Sequence, residues 1–389
     1  MGCESNSRNA SPPAPAIAHG AGAIDPAAIA REWKMDKRIE RLVSGFDAPF
    51  FQAGLAGYSD AAMRIVARRH GCPYCVTEAL LDRTLLAGGR GFAKADLGAL
   101  HDNVPGGAED HSLAGQIIGS DPDEMAGAAI KMIERNAQHS DAAGGFQAID
   151  VNLACPVKKI RRKARGGHFL REPEGAIAIL RAVRDAVPAQ IPVTVKMRRA
   201  WDTSAQSQRD FERLFNGAYE IGCAWVTVHG RTVEQKYVGP SDWRPIRDLV
   251  RRYPDRIVFG SGDIWSPADI FRMLAFTGVA AVSVARGAIG DPWIFQQARD
   301  LLAGRTPQEP TIAQQRAVLE EHFRLSLAVN GEARASLLMR KFAVRFAKRH
   351  PDTERVKRAF LEGRSLDDWL SVLDTHYVED ADARDRSAA

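Results

Sequence analysis

A rhythm begins at Pro49. Short apolar runs recur at 50–53, 74–77, 112–117, 146–151, 192–196, 224–228, 256–259 and 280–284. Between them lie amphipathic stretches at 61–69, 122–136, 173–186, 207–221, 240–253 and 266–276. Strand-like runs bordered by helical stretches predict repeated β-α units and a parallel sheet. Eight such runs over this length match the size and count of a (β/α)8 TIM barrel, an α/β fold. A doubly wound open sheet is the main competitor. It calls for a G-x-G-x-x-G turn after the first strand, and Ala53-Gly-Leu-Ala-Gly57 lacks that spacing.

The flanks read differently. Residues 1–45 form an extension whose first 30 residues are rich in Ala, Pro, Gly and Ser, without apolar periodicity, and are expected to be disordered. A short helix is predicted at 30–43, with Trp33, Ile39, Leu42 and Val43 on its apolar side. The barrel is assigned to 46–303. Residues 304–389 open on a two-proline linker, carry helical spacing, and end in a polar tail expected to fray. Leu319, Phe323 and Leu327 step by four, as do Leu338, Phe342 and Phe346. On the second of these helices Lys341, Arg345, Lys348 and Arg349 share one basic face, suited to a polyanion.

Composition excludes some classes. The chain has 389 residues, 45% hydrophobic, with a net charge of +5 and five cysteines. Sparse, odd cysteines suit a reducing compartment rather than a disulfide scaffold, and no apolar run is long enough to span a membrane. The Met-Gly-Cys start has Asn6 where myristoylation wants Ser or Thr, and no signal-peptide core precedes Cys3. A cytoplasmic protein is expected, with a monomer favoured. Scattered histidines predict no metal site. Cys72-Pro-Tyr-Cys75 has thiol-disulfide spacing but follows a helix instead of starting one, so redox work there is not expected.

In a barrel of this kind the chemistry sits where strands run into their following loops. The polar residues at those ends are Gln116, Asn152, Cys155, Lys196, Arg198, His229, Arg231, the Gly260–Asp263 turn and the Ala285–Gly287 turn. Cys155 follows a strand expected to stop at Asn152, and a basic run including Lys158, Lys159 and Arg162 comes next. Alone, such a cysteine is more often structural. Gly260, Gly262 and Gly287 allow backbone N–H groups to approach a phosphate, and Arg286 adds charge. Lys196 and Gln116 would then face the other end of the ligand. FMN fits this division; a sugar phosphate is not separated from it.

Taken together and in order, these motifs resemble the dihydrouridine synthases, flavin enzymes that reduce uridine in transfer RNA. The motifs are Ala53-Gly-Leu-Ala-Gly-Tyr-Ser-Asp60, Ile149-Asp-Val-Asn-Leu-Ala-Cys-Pro-Val-Lys-Lys159, Val193-Thr-Val-Lys-Met-Arg198, His229-Gly-Arg-Thr232 with Tyr237 and Asp242-Trp243, Gly260-Ser-Gly-Asp-Ile264, and Ala285-Arg-Gly-Ala-Ile-Gly-Asp-Pro-Trp-Ile-Phe295. The resemblance implies FMN on Gly54, Leu55, Ala56, Gln116, Lys196, His229, Ser261, Gly262, Asp263, Ala285 and Arg286. It implies NADPH as reductant, hydride transfer to uracil C6, and a proton from Cys155 to C5. Asn152 and Arg198 would hold the base. Lys158, Lys159, Arg162, Lys341, Arg345 and Lys348 would meet tRNA. Five positions depart from the family pattern: Gly54-Leu55 stands where the family usually has Pro-Met, Ala154 and Ala200 replace glycines, and Ser261 stands where the family often has Asn. Ala154 would be strained if its loop needed positive φ. Two other readings are a barrel reductase of a free pyrimidine or small enone, and an RNA-binding relative without turnover.

Overall fold

The computed structural model describes residues 21–87, 107–137, 145–156, 166–363 and 365–378. Its strands are β1 (Phe50–Gln52), β2 (Cys75–Val76), β3 (Leu80–Leu81), β4 (Leu113–Ile118), β5 (Ala148–Leu153), β6 (Val193–Arg198), β7 (Val226–His229), β8 (Val258–Ser261) and β9 (Ala281–Val284). All pairings are parallel, and β1 joins both β2 and β9, so the sheet closes on itself. β2 pairs with Leu113 and Ala114, and β3 with Ile117 and Ile118, so these two short strands share one lane beside β4. The result is an eight-lane barrel, as the spacing predicts.

Strand parity explains its two faces. Ile149, Val151 and Leu153 on β5, and Val193, Val195 and Met197 on β6, are buried in the large core shared with the outer helices. The alternate positions point inward. Low in the barrel these are Phe51, Tyr74, Ala114, Ala148, Trp225, Phe259 and Ala281, which form a separate apolar cluster. Higher up they turn polar, and that change marks the site.

Helix starts follow local chemistry. Asp60 caps the Ala61–Arg69 helix by accepting from the Met63 N–H at 3.0 Å. Ser266 and Thr311 build reciprocal capping boxes with Asp269 and Gln314. Pro173 and Pro267 sit in first turns, where a missing N–H is harmless.

The extension is ordered earlier than its composition predicts. Two helices, Pro26–Glu32 and Lys37–Leu42, replace the single helix expected over 30–43. Asp25 and Asp36 each cap their own helix, so the chain restarts at Asp36 instead of running through. Ile39, Val43 and Phe46 then join the inner apolar cluster. The Phe46 ring stacks on Tyr74 at 4.8 Å and lies 5.8 Å from both Phe51 and Phe259. This segment closes the bottom of the barrel. The expected tails, residues 1–20 and 379–389, lie outside the described residues.

The C-terminal helices brace the top. Ile312–Asn330 packs on Glu332–Phe346 and against Ala61–Arg69. Asn330 donates to Asp60 at 3.3 Å, and Phe342 meets Tyr58 edge-on at 5.5 Å. Trp293 meets Phe346 edge-on at 5.7 Å. Arg349 is paired with Asp291 and Glu309, and lies over the Trp293 ring. The predicted basic face is therefore divided. The helix ends at Phe346, and Ala347–Arg349 form a tighter turn that directs Arg349 back to the barrel. Among the described residues, Lys341, Arg345 and Lys348 make no ion pair.

Candidate active site

Parallel register brings the upper inward residues into rows. Gln116, Asp150 and Thr194 lie on neighbouring strands in one row, Asn152, Lys196 and Thr227 in the next, and Arg198, His229, Ser261 and Ser283 follow round the barrel. Gln116, Asp150, Thr194, Lys196, Thr227 and Ser283, with apolar residues such as Phe51, Val76 and Trp225, line a small cavity of about 10 Å³ beneath the mouth. β5 continues through Asn152 to Leu153, where the sequence predicts a stop. A polar residue there lines the mouth and does not end the ladder.

Charge at the mouth is unevenly distributed. Burial, reinforced by Arg198, lowers the Lys196 ammonium pKa to about 8, although Asp150 and Cys155 oppose the shift. Burial is also the main reason that His229 titrates well below its ordinary value; the positive charges of Lys196, Arg198, Arg231 and Arg286 add to it. His229 is therefore neutral. Its Nδ1 lies 3.1 Å from the Arg231 backbone N–H, which assigns the ring proton to Nε2.

The two glycine-rich turns form a cradle. Gly262 has φ +119°, and a Cβ there would run into Ser241. At Gly54 a Cβ would meet the Thr77 carbonyl, so the close approach of two barrel loops requires glycine here. The Asp263 carboxylate accepts from Arg231, from the Ser241 N–H at 2.8 Å and from Arg286 at 3.0 Å. It holds the Arg286 guanidinium, which also lies 4.8 Å from both the Tyr237 and Trp265 rings. Leu55 and Ala285 lie in the turns leaving β1 and β9, and Ala56 is exposed beside Leu55. Ser261 is buried at the end of β8.

Cys155 is half-buried at the mouth, on the turn leaving β5. The Gly167 N–H donates to its carbonyl at 3.0 Å. Among the described residues of this loop, the left-handed backbone falls on Gly166, with φ +48°; among all described residues, the positive-φ positions other than glycine are Lys236 and Asp263. Ala154 is therefore not strained, which removes the objection raised by its methyl group. Arg198 is buried and donates to the carbonyls of Ala154 at 3.0 Å, Thr232 at 2.8 Å and Lys236 at 2.7 Å. It ties the cysteine loop to the loop after β7. Lys158, Lys159 and Arg162 lie outside the described residues.

Lys341 reaches the same rim, with its Nζ 5.6 Å from the centre of the Tyr58 ring. Arg345 packs against Gly290 on the β9 loop, and Lys348 is exposed one turn further on. Sequence reasoning missed Asp150, and named Arg231, Asp263 and Arg286 without joining them in one cluster. Inward parity with Asn152 was the available signal for Asp150. Arg231 and Asp263 are joined only by the fold. Among the described residues no helix is long and apolar enough to cross a membrane, and no group of three His, Cys, Asp or Glu residues could hold a metal.

Comparison with known proteins gives the family. The dihydrouridine synthase (Dus) family matches residues 51–382. A probable tRNA-dihydrouridine synthase of Treponema pallidum is 34% identical over 331 residues, covering 83% of this chain and 91% of that protein. The tRNA-dihydrouridine synthase B of Xanthomonas axonopodis pv. citri is 32% identical, covering 84% and 91%. That of Escherichia coli K12 is 29% identical, covering 84% and 94%. The match takes in the barrel, the cysteine loop and the C-terminal helices: this chain belongs to the dihydrouridine synthase family.

Proposed function

We propose that this protein reduces uridine in tRNA to 5,6-dihydrouridine, using FMN with NADPH as the reductant. The observation that carries the reading is one mouth holding two kinds of group: a half-buried thiol on one wall, and a cationic, glycine-lined cradle on the others. The cradle fits a phosphorylated flavin. Gly262 leaves room where any Cβ would collide, and Arg286 is held in place by Asp263. Lys196, the Nε2–H of His229 and the Gln116 amide provide donors for a polar ring. FMN, when bound, supplies the hydride that goes to C6 of the uracil.

The chain's own residues supply the rest. Reducing the C5=C6 bond places negative charge on C5 and O4, so a proton must be delivered to C5. The Cys155 thiol is the donor. Arg198 and Asn152 fix its loop through the Ala154 carbonyl and N–H, and Asn152 borders the base. A uridine must leave its stack to enter a barrel mouth. Lys341, Arg345 and Lys348 on the adjoining helix provide charge for the surrounding phosphates. That placement favours RNA over a free pyrimidine, which needs no such surface. Incubating the protein with FMN, NADPH and unmodified tRNA should give dihydrouridine by mass spectrometry. Reduction of free uridine but of no tRNA would transfer the assignment to the small-substrate reading.

Lys196 adds a pH signature. Its ammonium is lost as pH rises through about 8 in the free site. FMN affinity should fall across that range, and Lys196→Met should be weaker and flat. Titration of flavin fluorescence against pH reads this directly; an unchanged slope in the variant would remove Lys196 from the cofactor site.

A further inference from the structure

The mouth contains a hydrogen-bond chain with one direction. The Ala154 N–H donates to Asn152 Oδ1 at 3.0 Å, Asn152 Nδ2 donates to Gln116 Oε1 at 2.8 Å, and Gln116 Nε2 donates to Asp150 Oδ2 at 2.7 Å. Two side-chain amides stand in series, and either could in principle turn over. The Ala154 N–H can only donate and so favours one direction from its end; the group at the other end holds Gln116 to it. An ionised carboxylate only accepts, so Gln116 must present its NH2 to Asp150. Its carbonyl then faces Asn152, which must answer with its own NH2. Only the Asn152 carbonyl is left for the Ala154 N–H, one residue before Cys155.

Asp150 is well placed for this. It is buried beside Gln116 and Thr194 in one register row, and its other oxygen accepts from the Thr194 hydroxyl at 2.5 Å. Burial raises its pKa, while its two hydrogen bonds and the charge of Lys196 act against that and favour the ionised form. We infer that Asp150 is a positioning residue for both halves of the site: its carboxylate orients Gln116 toward the cofactor cradle and, through Asn152, fixes the loop that carries Cys155. The cofactor half of this inference rests on the FMN reading; the cysteine half does not.

Asp150→Asn tests it at nearly constant shape. An amide can donate as well as accept, so Gln116 gains access to the reversed orientation, in which Asn152 must give up its bond either to Gln116 or to the Ala154 N–H. FMN dissociation constant and the alkylation rate of Cys155 by iodoacetamide, mapped by peptide mass spectrometry, should each rise roughly fivefold, the equivalent of about one neutral hydrogen bond. Thr194→Val removes the other bond to Asp150 and leaves the chain intact. Because that bond helps to keep Asp150 ionised, both readouts should move in the direction of Asp150→Asn but by less, and more at low pH than at high pH, a pH dependence that a merely structural role for Asp150 would not predict. If Asp150→Asn fails to fold, Asn152→Ala breaks the middle link and should raise Cys155 alkylation alike. If the wild-type protein takes up no FMN, the flavin reading falls and the alkylation arm still decides the chain. Equal alkylation rates in the wild type and in both variants would overturn the inference.

Discussion

Cys155→Ala should lower dihydrouridine formation by about 10²- to 10⁴-fold, the usual contribution of a positioned general acid. Flavin reduction by NADPH should be unaffected, because that half-reaction needs no proton at C5. The separation is the test. Stopped-flow bleaching of the flavin reads the first half, and mass spectrometry of tRNA reads the second. Loss of both would mean that the substitution damaged the cradle. Loss of neither would leave the half-buried thiol without a role. Folding should tolerate the change, because the loop is fixed by backbone bonds from Arg198, Asn152 and Gly167, not by the sulfur.

Neutralising Lys341, Arg345 and Lys348 together should weaken tRNA binding and flatten its salt dependence. If each cation displaces one counterion, the slope of log K against log salt should flatten by roughly 2 to 3. Arg349 is excluded from the set because Asp291 and Glu309 already engage it. Filter binding from low to physiological salt measures both quantities. An unchanged slope would show that the face is only hydrated, and RNA contact would have to be sought elsewhere on the protein.

Much of the barrel was legible because the outward rows of β5 and β6 are apolar and several helices start on a local signal. The 61–69 and 173–186 helices coincide with prediction for that reason. The misses have physical causes. The helix predicted from Pro240 starts at Arg244. The preceding residues serve the site instead: the Ser241 N–H meets Asp263, and the Trp243 indole donates to the Gly262 carbonyl at 2.9 Å. β3 has two residues and exists because β4 offers it free edge positions, which no local pattern records. Strand-end polarity identified Gln116, Lys196 and His229. It could not assign bonding partners. Arg198 shows this: its type and place suggest a ligand contact, while the fold gives it three backbone carbonyls.

Among the described residues, the floor formed by Ile39, Val43 and Phe46 closes one end of the barrel, so a ligand reaches the centre from the other. On the flavin reading, the nicotinamide that charges the cofactor and the uracil that discharges it must use the same threshold. The two visitors cannot be seated together over one ring, so turnover becomes an exchange of occupants. A long tRNA lying across the rim would also shut out the reductant until product has left. Slow release of modified RNA, more than either hydride step, would then set the pace of the whole cycle.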